Sequence, residues 1–321
     1  MANEFTFWII FWIIIAILFY IDLYVTGHRV GKISLKSSLI WVGVWICTAL
    51  LFNVFLYFYL EDGHHKALEF LTGYLIEYSL SVDNLFVFLL IFKVMNVSAE
   101  NQPQILKWGI LSAIVFRILF IFLGVGLIKL FHPIIYVFAL ILLYAAYKMA
   151  FGGDYEVDVD HNPLVRFAVK YFKLLPGNHG RHFFVKKEGK TFATTLFLTL
   201  LLIESTDIVF AVDSIPAIIA ITRDEFIIIT SNIFAILGLR SLYFTLAGVV
   251  DIFAYLKYGV AIVLFYVGTK MLLSDLYEIP TILSLGIIIV CLGGSVVLSL
   301  IKRKKVAASS VNHTNGSKPQ Q

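Results

Sequence analysis

The chain has 321 residues, of which 60% are hydrophobic and only 14% charged, with a mean hydropathy of +0.90. A soluble domain carries about 25% charged residues, so composition excludes a soluble globular protein and predicts a polytopic membrane protein in contact with the lipid bilayer. The net charge of +4 reflects bases collected in loops and gives no case for nucleic-acid binding.

In chain order, nine apolar stretches are long enough to cross a hydrocarbon core, which needs about 20 residues. They cover roughly residues 5–25, 39–60, 67–92, 107–130, 133–151, 192–220, 226–249, 253–273 and 281–301. The runs are continuous, without the alternation of a transmembrane barrel, so the predicted fold is all-α, a helix bundle of about nine spans. The first stretch lacks a basic flank and a small-residue cleavage site and reads as a retained helix.

Bases gather in alternate loops: His28, Arg29, Lys32 and Lys36; Lys93 and Lys107; Arg166 to Lys190; and Lys302-Arg303-Lys304-Lys305. With nine spans these all fall on one side, which the positive-inside rule makes cytoplasmic. The N-terminus is then outside and the C-terminus inside. The loop 152–191 carries Asp154, Glu156, Asp158, Asp160 and His161, without the turn glycine and closing glutamate of an EF-hand. The polar tail from Ala307 is expected to be disordered, and its two glycosylation patterns fall on the cytoplasmic side. Cys47 and Cys291 are far apart in apolar runs and read as small buried hydrophobes.

Two stretches break the apolar pattern. One is Ile76-Glu77-Tyr78-Ser79-Leu80-Ser81-Val82-Asp83-Asn84; the other runs from Glu204-Ser205-Thr206-Asp207 to Val212-Asp213-Ser214-Ile215-Pro216. A carboxylate near a bilayer centre costs about 2.5–3.5 kcal/mol, so five of them point to a cation pathway.

The two stretches also match each other. Glu77 precedes Asp207, and Asp83 precedes Asp213, by the same 130 positions; Arg117 and Arg240 are 123 apart, Lys148 and Lys270 122. This predicts two three-helix units, 67–151 and 192–275, between an N-terminal helix pair (1–66) and a last helix with its tail (276–321). Three spans is an odd number, so the second unit is inverted, and inverted repeats place a substrate site near the midplane where they meet.

On a regular helix Glu77 and Asp83 lie about 120° apart and about 9 Å along the axis, whereas Glu204 and Asp207 share a face. One straight helix cannot aim all five acids at one ion. Pro216 leaves the carbonyl of Val212 without its helical donor and is the expected helix break. The candidate ligands are Glu77, Asp83, Asn84, Glu204, Asp207 and Asp213, with Arg117 and Arg240 as structural counter-charges. An oxygen-only set suits manganese, calcium or magnesium better than copper or zinc. Desolvated carboxylates also take up protons, so proton-coupled exchange is an expectation. Lys148 and Lys270 are expected to snorkel to an interface. Asp22 reads equally as a vestibule ligand or an interfacial acid, Asn53 as polar packing and Glu69 as a surface residue. No nucleophile–base pair or cofactor fingerprint points to an enzyme, and no permanent cofactor is expected.

The stretches Phe70-Leu71-Thr72-Gly73-Tyr74-Leu75-Ile76-Glu77, Val82-Asp83-Asn84, Phe210-Ala211-Val212-Asp213-Ser214-Ile215-Pro216-Ala217 and Ser231-Asn232-Ile233-Phe234-Ala235-Ile236-Leu237-Gly238-Leu239-Arg240 resemble the TerC family, most closely its Alx-type members. Where those tend to read Glu-Leu-Ser-Asp, this chain has Glu204-Ser205-Thr206-Asp207. The resemblance implies a bacterial inner-membrane exporter of manganese(II), with some relatives linked to tellurite resistance, and it implies that Glu77, Asp83, Glu204, Asp207 and Asp213 handle the ion. Two other functions stay open: a calcium/proton exchanger, and a membrane scaffold for a tellurite- or stress-resistance complex docking through the loop 152–191. Homo-oligomerisation is also open.

Overall fold

The structure is a computed structural model describing residues 4–24, 34–131, 133–151, 165–166, 172–175, 180–187, 189–249, 255–274, 276–277 and 279–315; the side chains of residues 4–6, 24, 213, 249 and 302–315 lie outside the description. The helices are α1 (Glu4–Tyr24), α2 (Leu35–Tyr59), α3 (Gly63–Val94), α4 (Gln102–Leu130), α5 (Ile134–Phe151), α6 (Thr195–Ile219), α7 (Glu225–Ile236), α8 (Leu239–Val249), α9 (Leu256–Leu272) and α10 (Thr281–Asn315). Six of them are long and apolar enough to span a membrane. The pair α7–α8, bent by 44°, makes a seventh. The other two predicted spans coincide with α1 and α9. α1 has 21 residues and α9 has 17. At 1.5 Å per residue α1 covers about 31 Å, the thickness of a hydrocarbon core, and α9 about 26 Å.

The outer helices show one buried stripe and an apolar remainder. On α1 the stripe is Phe11, Ile15, Phe19 and Asp22; on α2 it is Ser38, Trp45, Ala49, Phe52 and Leu56. These are helical spacings. Ile13, Ile17, Leu51 and Phe58 point outward instead, which in a membrane means into lipid. α3 is the most buried span and packs against α2, α6, α7, α8, α9 and α10.

The two three-helix units interlock. α3 packs on α7, α4 packs on α6, and the third helices α5 and α9 pack on each other. Gly268 makes the last approach close, since a side chain there would press on Leu142 and the backbone of Ala139. Directions agree with inversion. Ser112 and then Arg117 of α4 meet Glu204 and then Asp207 of α6, so those helices run parallel. α3 and α4 are antiparallel, because Glu77 and Arg117 meet at similar distances from the connection between the helices. The first helices of the two units therefore run in opposite senses.

Two sequence expectations need correction. α6 runs through Pro216 without a break: the proline sits in the last turns before Ile219, where few hydrogen bonds are left to lose. The break in the second unit falls at Leu237–Gly238. Gly238 has φ +81°, and a Cβ there would overlap the indole of Trp45, so glycine is required on both counts. In the long loop β1 (Lys173–Leu175), β2 (Phe184–Lys187) and β3 (Lys190–Thr194) form a sheet of order β1-β3-β2, with β1 parallel and β2 antiparallel to β3. The tail is helical to Asn315, because the residues from Lys302 to Ala308 are mostly strong helix formers. The acids Asp154 to Asp160 and His161 lie outside the described residues.

Candidate ion site in the helix bundle

Arg117 sits near the middle of α4, 2% exposed. Its Nη1 pairs with Glu77 Oε1 of α3, its Nη2 lies 3.5 Å from Asp207 Oδ1 of α6, and its Nη1 donates to Asn232 Oδ1 of α7 at 3.4 Å. One guanidinium therefore ties together four helices from both units. It also joins the two carboxylates that the repeat comparison makes equivalent.

One and a half turns before Arg117, Ser112 Oγ hydrogen-bonds Glu204 Oε1. Glu204 and Asp207 both face α4, as their spacing requires. Gly109 leaves room for Glu204, whose Oε1 would lie 3.6 Å from a Cβ at that position. Glu77 and Asp207 thus pair with one positive charge, and Glu204 lies on the Asp207 face of α6, bonded to Ser112. Glu77 Oε2, Glu204 Oε2 and Asp207 Oδ2 are buried without a hydrogen-bond partner, as are Ser81 Oγ and Ser214 Oγ. Buried polar atoms are nearly always satisfied, so this concentration of orphaned oxygens is unusual.

Asp83 and Asn84 are buried on α3, 5% and 6% exposed. Asp213 belongs to α6, but its side chain lies outside the described residues. Among the described residues no three His, Cys, Asp or Glu side chains are arranged to hold a metal ion. The predicted ligands that are described are therefore buried in the bundle without forming a closed cage.

The second arginine departs from the repeat. Arg240 Nε lies 3.2 Å from Asp22 Oδ2, with both residues buried, so Asp22 is neither a vestibule ligand nor an interfacial acid. It anchors α1 to α8. Glu69 is buried as well, at 9% exposure, and accepts a hydrogen bond from Thr222 Oγ1 at 2.8 Å; it is not the surface residue expected. Lys148 is exposed, as snorkelling requires. Lys270 is half-buried and donates to Ser284 Oγ at 3.1 Å. Cys47 is exposed on α2, Cys291 half-buried on α10, and both are free. The buried reading fails for Cys47, which lies on the outward face of α2.

Sequence reasoning misses Ser112 as a site residue, and includes Asn232 only as part of a motif. Both are polar residues inside apolar helices, and that is the available signal.

The model of the Integral membrane protein TerC family matches residues 62–307. The chain belongs to the TerC family. A relative from Escherichia coli strain K12, named Alx and described as a proposed membrane-bound redox modulator, is 44% identical over 275 residues, covering 84% of this chain and 86% of the relative. An uncharacterized membrane protein of Myxococcus xanthus is 43% identical over 292 residues, 91% of each chain. Another, from Rickettsia felis, is 38% identical over 299 residues, covering 93% of this chain and 99% of its own. No solved structure matches. This TerC protein is thus an integral, multi-pass membrane protein. Its family match begins after α2, so the helix pair that anchors α8 through Asp22 lies outside the matched region.

Proposed function

We propose that this TerC protein exports a divalent cation, manganese(II) in the first place, across the bacterial inner membrane in exchange for protons. The observation that carries the reading is the surplus of unpartnered carboxylate oxygen around Arg117. Two buried acids share one guanidinium, a third, Glu204, is bonded to the neutral Ser112, and a cation is the species that restores balance. The donors are all oxygen, which favours a hard ion. A guanidinium repels a metal, so the loaded state requires Arg117 to withdraw from Glu77 or Asp207. The interlocked, inverted units supply elements that could exchange two arrangements around a fixed site. The N-terminus is placed outside and the C-terminus in the cytoplasm.

Metal uptake by everted membrane vesicles, compared across manganese, calcium and magnesium ions, tests this. Asp207→Asn and Asp83→Asn are expected to abolish uptake while the protein still inserts. Ser112→Ala removes the partner of Glu204 and is expected to weaken the apparent metal affinity by about 10–100-fold, the usual cost of losing an outer partner of a ligand. Normal uptake by both Asn variants would refute the site. Preference for calcium would favour the exchanger reading instead.

The name of the Escherichia coli relative raises direct redox chemistry as a second reading. That chemistry commonly uses paired thiols, whereas the two cysteines here are free and sit on α2 and α10. The scaffold reading places function on the β-sheet, so it predicts that vesicle uptake is absent in the unmodified protein.

A further inference from the structure

A second polar constellation lies at the end of α3 remote from Asp83, and the ion site does not use it. Glu69 is buried at 9% exposure, while His65, one turn earlier, has a side chain 52% exposed with Nδ1 3.4 Å from Glu69 Oε1. The other carboxylate oxygen, Oε2, accepts from Thr222 at 2.8 Å. Thr222 belongs to the turn between α6 and α7, and that turn is pinned to α3 by Lys66 Nζ, 2.9 Å from Asp224 Oδ2. Asp224 also caps α7 by accepting from the backbone amides of Phe226 and Ile227. The charged and titratable groups acting on Glu69 are thus His65 and Lys66 from its own helix, Asp224 from the α6–α7 turn and Lys270 from α9.

This cluster connects inward. Glu69 lies eight residues before Glu77 on α3, about 12 Å along the axis. Between them the α3–α7 interface carries buried polar side chains. Thr72, Thr230, Ser231 and Asn232 are all fully buried. Gly73 has no side chain, and Ser231 Oγ fills the gap, 3.0 Å from where its Cβ would be. Asn232, next to Ser231, hydrogen-bonds Arg117, which holds Glu77. Asn232 Nδ2 has no partner. Hydroxyl and amide groups therefore lie along the interval from Glu69 to the ion site, the hydroxyls of Thr72, Thr230 and Ser231 each donating to a carbonyl of its own helix.

We infer that His65 and Glu69 form the port through which protons enter from the aqueous side and reach the ion site along the α3–α7 interface. The geometry fits this role: the imidazole is exposed and within reach of water, and the carboxylate behind it is shielded from water. The step is a transfer of H⁺ from His65 Nδ1–H to Glu69 Oε1, leaving neutral imidazole and a neutral carboxylic acid, with no other reactant. Onward transfer returns Glu69 to the carboxylate. The inference specifies the coupling ion of the proposed exchange and rests on that reading.

The test uses the full chain in two measurements. In proteoliposomes loaded with a pH-sensitive dye, manganese chloride flux and proton counterflow are recorded together. Glu69→Gln, which keeps a hydrogen-bond acceptor for Thr222, is expected to retain manganese flux down its gradient and to lose proton counterflow to the level of protein-free liposomes. Glu69→Asp is expected to restore it. Wild-type proton counterflow in Glu69→Gln would overturn the port and leave metal transport standing. Absence of manganese flux in the unmodified protein would overturn both. Independently of transport, pH-difference infrared spectra of the purified protein are expected to show a protonated-carboxyl band that is missing in Glu69→Gln and has a displaced midpoint in His65→Asn. Identical spectra in all three proteins would also overturn the port.

Discussion

Arg117→Gln is expected to destabilise the protein by about 3–5 kcal/mol, the range found when one partner of a buried ion pair is removed. The reason is specific to this site. Arg117 is the counter-charge that pairs Glu77 and Asp207, and glutamine leaves two buried carboxylates facing each other across the units. Thermal unfolding of the purified protein in detergent measures the loss. A triple variant, Arg117→Gln with Glu77→Gln and Asp207→Asn, is expected to recover most of it, because neutral polar groups of the same shape carry no unpaired charge. If the triple variant were no more stable than Arg117→Gln alone, the loss would come from packing and not from charge. The same comparison separates stability from function, since the triple variant is expected to fold and to move no metal.

The second large effect is expected at the break between α7 and α8. Gly238→Ala places a side chain at φ +81° against the Trp45 ring. The left-handed backbone costs about 1–2 kcal/mol, and overpacking typically adds about 1–3 kcal/mol. Trp45→Ala on its own removes a large buried ring, which costs about 3–5 kcal/mol. It also opens the space that the methyl group added at Gly238 would need, so the double variant is expected to be more stable than the sum of the single effects predicts. A coupling of about 0.5–3 kcal/mol is the size seen for residues in contact. Strict additivity in a double-mutant thermal-unfolding cycle would mean that Trp45 does not press on Gly238.

These two positions also show what the sequence can tell. Charged residues are so scarce in the spans that Arg117, Glu77, Glu204 and Asp207 stand out without any structure, and their spacing exposes the repeat. Which arginine meets which acid does not stand out. Arg117 and Arg240 look equivalent in sequence, yet one holds the acids at mid-bundle and the other holds Asp22 from a helix outside the repeat. That choice is made by tertiary packing. Pro216 is the expected helix break because proline removes a donor, but a proline in the last turns of a helix disrupts little. Gly238 carries the stronger signal only in combination with Trp45, nearly two hundred positions away. Glu69 reads as a surface residue because it lies early in α3; Thr222, from the other unit, closes over it. The small sheet escapes detection because its strands are three to five residues long and rich in lysine.

The central claim is that acids are retained at mid-bundle because a divalent cation visits them. Flux of manganese(II) into liposomes containing the purified protein, with Asp207→Asn measured beside it, tests this most directly. Saturable, protein-dependent flux that the single substitution removes is the expected result. Equal flux through both proteins, or none above empty liposomes through either, would contradict it.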